Sequence, residues 1–367
     1  MLDMAASDIT LYDEADHHQD YPANEDYWHS TCYTFTGESE GYDILLMTRI
    51  DIIRVYNAKG QWIHPGENLE HETTLIVVPS SQRGKGMEDH DFVHSGHYFA
   101  QRLDLSELIL TPGEAAVIWE VPGRTHTCRP PIWELKGSHA GVDLDLTFRQ
   151  MPPSWWTLGS FQNAKTSNTG GYDAPCSIEG SITVAGRTFQ LKNAYGIREH
   201  MVVGRKTDII GYLPPPDRLY WDYLVSDDIT LYFFQYPLPG IYRGFVRAFG
   251  EEFAFIPKEG KGDIKHTILE YWNDPRSGLA LASRWHLAMS SASGVLYIEI
   301  SAHGRSFFHW VMTTGLRVEI WQIGVANGKF MAADGRTVEI KDKLICIDPL
   351  YTIGHAEQSI KSLPEIA

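Results

Sequence analysis

Residues 178–205 read IEGSITVAGRTFQLKNAYGIREHMVVGR. Apolar and polar side chains alternate with period two on both sides of Ala185-Gly186, a pair suited to the left-handed dihedrals of a tight hairpin turn. The expectation is two antiparallel strands joined there. The second carries Arg198, Glu199 and His200 in succession. Neighbouring strand residues face opposite ways, so Glu199 points to one side and Arg198 and His200 to the other. A carboxyl group beside an apolar cavity is harder to ionise and becomes an acid available near neutral pH, which makes this triplet the candidate catalytic group. Structural ion pairing with strand neighbours is the competing reading.

The same alternation recurs outward along the chain. TFTGESEGYDILLMTRIDIIRVYN at 34–57 reads as a hairpin turning between Gly37 and Gly41, and Asn327-Gly328 and Asp334-Gly335 sit as turn pairs between further alternating runs. Helical periodicity is scarce, with DLSELIL at 104–110 the best short helix. Many short strands separated by regular turns predict a mainly β protein, built as barrels or sandwiches. A length of 367 residues suits two domains. QMPPSWWTLGSFQNAKTSNTGGYDAP at 150–175 breaks the pattern with prolines, glycines and small polar residues, as a long functional loop or domain connection does. It places one domain at 1–160 and a second at 161–367. GYLPPPDR at 211–218 is also irregular, because three consecutive prolines remove ladder donors.

Composition excludes several functions. The net charge of −16 leaves no basic stripe for phosphates, so no nucleic-acid partner is expected. The acidic N-terminus lacks a signal or transit pattern, and no apolar run is long enough for a transmembrane helix, so the expected location is cytoplasmic. Cys32, Cys128, Cys176 and Cys346 fit no zinc or disulfide spacing and read as reduced core thiols. His90, His94 and His97 in EDHDFVHSGHYF read as a polar loop, and His17-His18 as a mobile tail. Neither a dinucleotide fingerprint, a phosphate-binding loop nor a nucleophile elbow occurs, so activity without cofactor or metal is expected.

Aromatic residues make up 12% of the chain, including eleven tryptophans, more than packing alone uses. Such side chains also line cavities for unsaturated ligands. In LYWDYLVSDDITLYFFQYP at 219–237, Trp221 and Tyr223 share one strand face, as do Tyr232 and Phe234.

These residues carry a resemblance. Gly180, Gly186 and then Arg198-Glu199-His200, followed by Trp221-Asp222-Tyr223 leading into Leu231-Tyr232-Phe233, resemble the fingerprint of the hydroxyneurosporene synthase and AttH-like superfamily. SRWHLAMSSASGVLYIEI at 283–300 is similar to a late segment of that family, at Trp285, and EDYWHSTCYTF at 25–35 is a weaker echo. The match covers mainly residues 175–355. Glu199 stands where the family usually has aspartate, and Met201-Val202 where it has Glu-Trp. The resemblance implies two lipocalin-like domains enclosing a cavity for a small lipophilic substrate. It implies a cofactor-free cyclase performing a [4+2] or hetero-Diels–Alder cycloaddition, with acid-assisted dehydration as a preceding step. Arg198, Glu199 and His200 would supply the polar chemistry, and Trp221, Asp222, Tyr223, Tyr232, Phe234 and Trp285 would contact substrate. Two alternatives stand beside it: an isoprenoid hydratase or dehydratase with Glu199 as acid, and a lipocalin-type carrier without chemistry.

Overall fold

The structure is a computed structural model, and it describes residues 8–17, 27–55, 66–88, 97–151, 153–167, 169–204, 218–236, 241–276, 278–306, 308–312 and 315–354. His90, His94 and the triple-proline stretch lie outside the described residues. The chain is mostly β and forms two curled antiparallel sheets, each a half-barrel. The first is built from β1 (Tyr27–Ser39), β2 (Tyr42–Val55), β3 (Gly66–Pro79), β4 (His97–Leu103), β5 (Ile109–Pro112), β6 (Val117–Val121), β7 (Arg124–Arg129), β8 (Ile132–His139), β9 (Val142–Gln150), β10 (Trp155–Gly159), β11 (Thr169–Val184), β12 (Arg187–Gln190) and β13 (Lys192–Gly204). The second comprises β14 (Arg218–Val225), β15 (Ile229–Tyr236), β16 (Ile241–Ala248), β17 (Glu251–Phe255), β18 (Asp263–Asn273), β19 (Ala280–Ser291), β20 (Gly294–Arg305), β21 (Phe308–Met312), β22 (Gly315–Glu319), β23 (Gln322–Ala332), β24 (Thr337–Ile347) and β25 (Pro349–Gly354).

The change of sheet falls between Gly204 and Arg218, not at residue 160. The Pro- and Gly-rich stretch at 150–175 is not a connection between halves. Trp155–Gly159 and the strand from Thr169 pair with one another inside the first sheet. The physical reason is that backbone pairing tolerates Gly170, Gly171 and Pro175 where the strand is held on its other edge by β13 along its length. DLSELIL is a capped single turn running into β5 rather than a helix. Turns form as expected at Glu40-Gly41, Ala185-Gly186 and Asp334-Gly335, whereas Asn327-Gly328 lies within β23 at a register shift.

Each sheet closes on its own inner face. In the first, Thr73 on β3 meets His139 on β8 at 2.8 Å (Oγ1 to Nδ1), and Tyr33 on β1 meets Cys128 on β7 at 3.6 Å. In the second, Gly244 on β16 lies so close to β19 that a Cβ there would stand 2.2 Å from Met289 Sδ. Strands away from the contact between halves keep strict alternation, as β9 does with Val142, Leu144, Leu146 and Phe148 buried. Strands β1 to β3 are buried on both faces, which is why ILLM at 44–47 reads as a continuous apolar run. Their outer residues, including Cys32, Leu45, Met47, Ile76 and Val78, pack against Tyr223, Val225, Ile323 and Cys346 of the second half. A polar clamp sits at the edge of this contact. His303 Nε2 on β20 lies 2.9 Å from Asp43 Oδ2 on β2, and Arg83 Nε donates to Asp43 at 2.6 Å. Burial opposes the Asp43 charge, but the hydrogen bonds from Arg83, His303 and Ser80 prevail and hold its carboxyl down to about 2.

Candidate active site

Strand register brings together residues that are far apart in sequence. Across the outer face of the first sheet, Glu72 stands opposite Arg49, Arg49 opposite Cys32, Cys32 opposite Glu199, and Glu199 opposite Asp173. Directly paired residues in an antiparallel ladder point to the same side. The row ends at Trp155, paired with Asp173 from β10. A sheet face normally buried under apolar side chains thus carries three carboxyls, a thiol and a guanidinium.

Each group is tuned by its surroundings. Arg49 Nε donates to Glu72 and lies 3.1 Å from Asp51 Oδ2. Burial pushes the Glu72 and Asp51 carboxyls up against the pull of Arg49. Asp173 is fully buried, and burial raises its carboxyl to about 7 despite hydrogen bonds with Thr157, Glu199 and Tyr223. Thr157 Oγ1 donates to Asp173 Oδ2 at 3.0 Å, and the Tyr223 hydroxyl to Oδ1 at 3.5 Å. Asp173 and half-buried Glu199 therefore form a hydrogen-bonded acid pair, able to hold a proton near neutral pH. Burial also pushes the Cys32 thiol well above its usual range, so it is no nucleophile.

The second half covers this acid pair with aromatic rings. Tyr232 lies between Trp155 and Trp221, at 5.3 and 6.3 Å between centroids, and Trp221 meets Phe234 edge-on at 5.3 Å. The indole N–H groups of Trp155 and Trp221 are buried and have no acceptor among the described residues. Two unpaired donors thus belong to the aromatic wall over the acid pair, the composition of a site that positions a lipophilic molecule by a few polar contacts.

The residues singled out in the sequence go to three places. Glu199, Trp221, Tyr223, Tyr232 and Phe234 meet at this contact between halves. Arg198 and His200 face the interior of the first half, as alternation requires. There Arg198 Nη2 donates to Glu14 Oε2 at 2.6 Å. Burial disfavours its charge, but Glu14 together with Tyr172, Tyr33 and Cys128 prevails and keeps Arg198 well above its ordinary range. His200 Nδ1 donates to the Asp13 carbonyl at 2.8 Å, so its Nε2 accepts from His29 Nε2 at 2.7 Å. Burial, then His29 and Arg198, push His200 well below the usual histidine range. It is a neutral core group. Asp222 and Trp285 face the interior of the second half. Asp222 lies on the β14 face that carries Tyr220 and Leu224, and Trp285 packs beside His266 at 6.1 Å. Burial pushes the Asp222 carboxyl up to about 8, with a single backbone donor, Asp348 N–H, at 3.3 Å.

Sequence reasoning missed Asp173, Arg49, Glu72, Thr157 and Trp155. Asp173 and Trp155 lay in the stretch read as a loop, and register, the only signal joining the row, is not written in one sequence. His17 is not in a mobile tail: it is buried, and its ring stacks on Phe161 at 4.4 Å.

Comparison with known proteins finds no matching family model and no matching curated protein. Among solved structures, the chain is similar in fold to an AttH candidate from Nitrosomonas europaea, with 10% identity over 94% of this chain and 97% of that one and a TM-score of 0.53. It is also similar to CghA crystallised with Sch210972, with 9% identity over 90% of this chain and 89% of that one and a TM-score of 0.51. At these identities the likeness is one of fold: two lipocalin-like half-barrels, as in AttH-like proteins.

Proposed function

We propose that this protein is a cofactor-free cyclase that folds a lipophilic polyene between its two halves and catalyses a [4+2] or hetero-Diels–Alder cycloaddition. One observation carries the reading: the Asp173–Glu199 acid pair lies under the aromatic wall of Tyr223, Tyr232, Trp221 and Trp155. A carrier has no need of an acid held protonated near neutral pH. The rings fix the substrate in a reactive pose, which removes entropy before the reaction begins. Asp173 donates a hydrogen bond to a carbonyl of the dienophile and draws electron density from its double bond. Two σ bonds form and two π bonds are consumed, with no net proton transfer. Where a hydroxyl must first leave, Asp173 supplies the proton that converts it to water, and the proton lost from the adjacent carbon restores the acid. The fold shared with CghA, a protein crystallised with the small molecule Sch210972, supports a ligand-holding role.

The raised Asp173 carboxyl also favours a second reading, hydration of an isoprenoid alkene, with the acid moved from Glu199 to its neighbour. Isotope-labelled water separates the two. Incorporation of the label into product identifies a hydratase, while unlabelled product with a new ring identifies a cyclase. Asp173→Asn should lower kcat by about 10²- to 10⁴-fold, the scale of a positioned acid, with the fold retained. A folded variant with unchanged rate would remove Asp173 from the reaction.

A further inference from the structure

On the opposite face of β13, Glu14 is bound as a ligand would be. Segment 8–17 joins neither sheet's ladder and lies inside the first half-barrel, held by its side chains and by the Asp13 and Glu14 carbonyls, which accept from His200 and Trp119. Ile9 joins the core, Asp8 accepts from Ser154 and Trp156, and Trp119 Nε1 donates to the Glu14 carbonyl at 3.0 Å. The Glu14 carboxylate receives three side-chain donors from three different strands: Trp133 Nε1 at 2.6 Å, the Tyr172 hydroxyl, and Arg198 Nη2 at 2.6 Å. All three donor residues are fully buried. The cradle therefore belongs entirely to the sheet, and only the carboxylate is supplied by the segment.

A second observation lies deeper in the same interior. Tyr33 stacks against Arg198 at 4.6 Å on one side and meets His126 edge-on at 5.0 Å on the other. His126 and His71 are fully buried, and neither ring nitrogen of either has a partner among the described residues. Among the described residues, no group of His, Cys, Asp and Glu has the geometry to hold a metal ion. Unpaired nitrogens within the interior of a half whose core is mainly apolar suit the oxygen functions of an organic molecule.

We propose that the interior of the first half is a binding site for an amphipathic carboxylic acid, and that segment 8–17 is a displaceable plug whose Glu14 carboxylate stands in for the acid group of that ligand. A buried guanidinium needs a counter-charge, and removing one partner of such a pair is costly. Exchanging one carboxylate for another keeps Arg198 paired. Displacement then costs only the remaining contacts of the segment, and the apolar body of the ligand replaces Ile9.

The test uses the full chain and 11-(dansylamino)undecanoic acid, with its methyl ester as the uncharged control. The plug lowers apparent affinity by the fraction of molecules that are open, so Glu14→Ala should bind the acid about 10- to 100-fold more tightly than wild type. The ester, which would leave Arg198 without a counter-charge, should bind Glu14→Ala far more weakly than the acid does. Adding Arg198→Met to Glu14→Ala should abolish the gain. Wild type supplies an arm independent of folding in the variants: the acid, and not the ester, should accelerate cleavage after Glu14 by a glutamyl endopeptidase. Equal binding of acid and ester by a folded Glu14→Ala protein, or cleavage of wild type that the acid leaves unchanged, would overturn the proposal.

Discussion

Asp222 offers a stability experiment whose sign and size follow from its surroundings. Its side chain is fully buried in the second half, Oδ1 accepts one backbone N–H at 3.3 Å, and Oδ2 has no partner among the described residues. Burial raises the folded carboxyl from 3.8 to about 8. Between those values the folded protein holds a proton that the unfolded chain releases, so the Asp222 contribution to stability is greatest below about pH 4 and falls as pH rises to about 8. Each tenfold change in proton affinity is about 1.4 kcal/mol, so the full loss above pH 8 is on the order of 5 kcal/mol, a large part of a typical folding free energy. Asp222→Asn keeps the carbonyl acceptor for Asp348 N–H and removes the ionisation. Urea unfolding of both proteins from pH 4 to pH 9 should give matching stabilities at the acid end. The variant should then be ahead by several kcal/mol at pH 9, with the divergence lying between pH 4 and 8. Parallel profiles separated by a constant offset would show that Asp222 ionises as an ordinary aspartate and that solvent reaches Oδ2.

Asp43 should behave in the opposite sense. Its depressed carboxyl contributes stability above about pH 4 that is lost toward pH 2, so Asp43→Asn should cost about 2 kcal/mol at pH 7 and almost nothing near pH 2, read by unfolding at each pH. Trp285→Ala should lower stability by about 3–5 kcal/mol, the usual range for a large core aromatic, while leaving ligand binding between the halves unchanged in whatever fraction stays folded. Weakened binding at unchanged stability would return Trp285 to the site. Tyr232→Ala should do the reverse of Trp285→Ala, weakening binding of a lipophilic substrate more than it lowers the melting temperature, as paired calorimetric titrations and melting curves would show.

Alternation made the local part of this architecture legible. From REH at 198–200 one reads that Glu199 parts company with its neighbours, and from WDY at 221–223 that Trp221 and Tyr223 share a face. Both statements hold in the structure. A single strand does not say which of its faces is the inside of a barrel and which is the contact between barrels. Grouping Arg198 and His200 with Glu199, and Asp222 and Trp285 with Trp221, joined side chains of different compartments for that reason. Asp173 was hidden for a different one. Glycines and a proline around it weaken local strand preference, and its strand exists because β13 and β9 pair along its two edges. The sheet boundary was misplaced by the same signal. The stretch at 150–175 holds paired strands, while the described chain passes from one sheet to the other between Gly204 and Arg218.

Strand β13 shows how a chain can hold two unlike polar clusters a few ångströms apart without mixing them. Consecutive side chains on a strand covered on both faces enter separate compartments. Arg198 is paired with Glu14 at 2.6 Å and stays ionised, whereas Glu199 is hydrogen-bonded to the Asp173 carboxyl. The backbone between them is fixed by ladders to β1 and β11 on its two sides, so neither side chain can relax toward the other. The charged cradle is therefore isolated from the acid pair by the sheet itself. Burying ionisable groups on both faces costs stability, and a fold that needed only to pack would fill these positions with valine and isoleucine. The polar row from Glu72 to Asp173 and the Arg198 cradle are the places where this sequence departs from what a β-sheet core requires, and function is sought where such departures cluster.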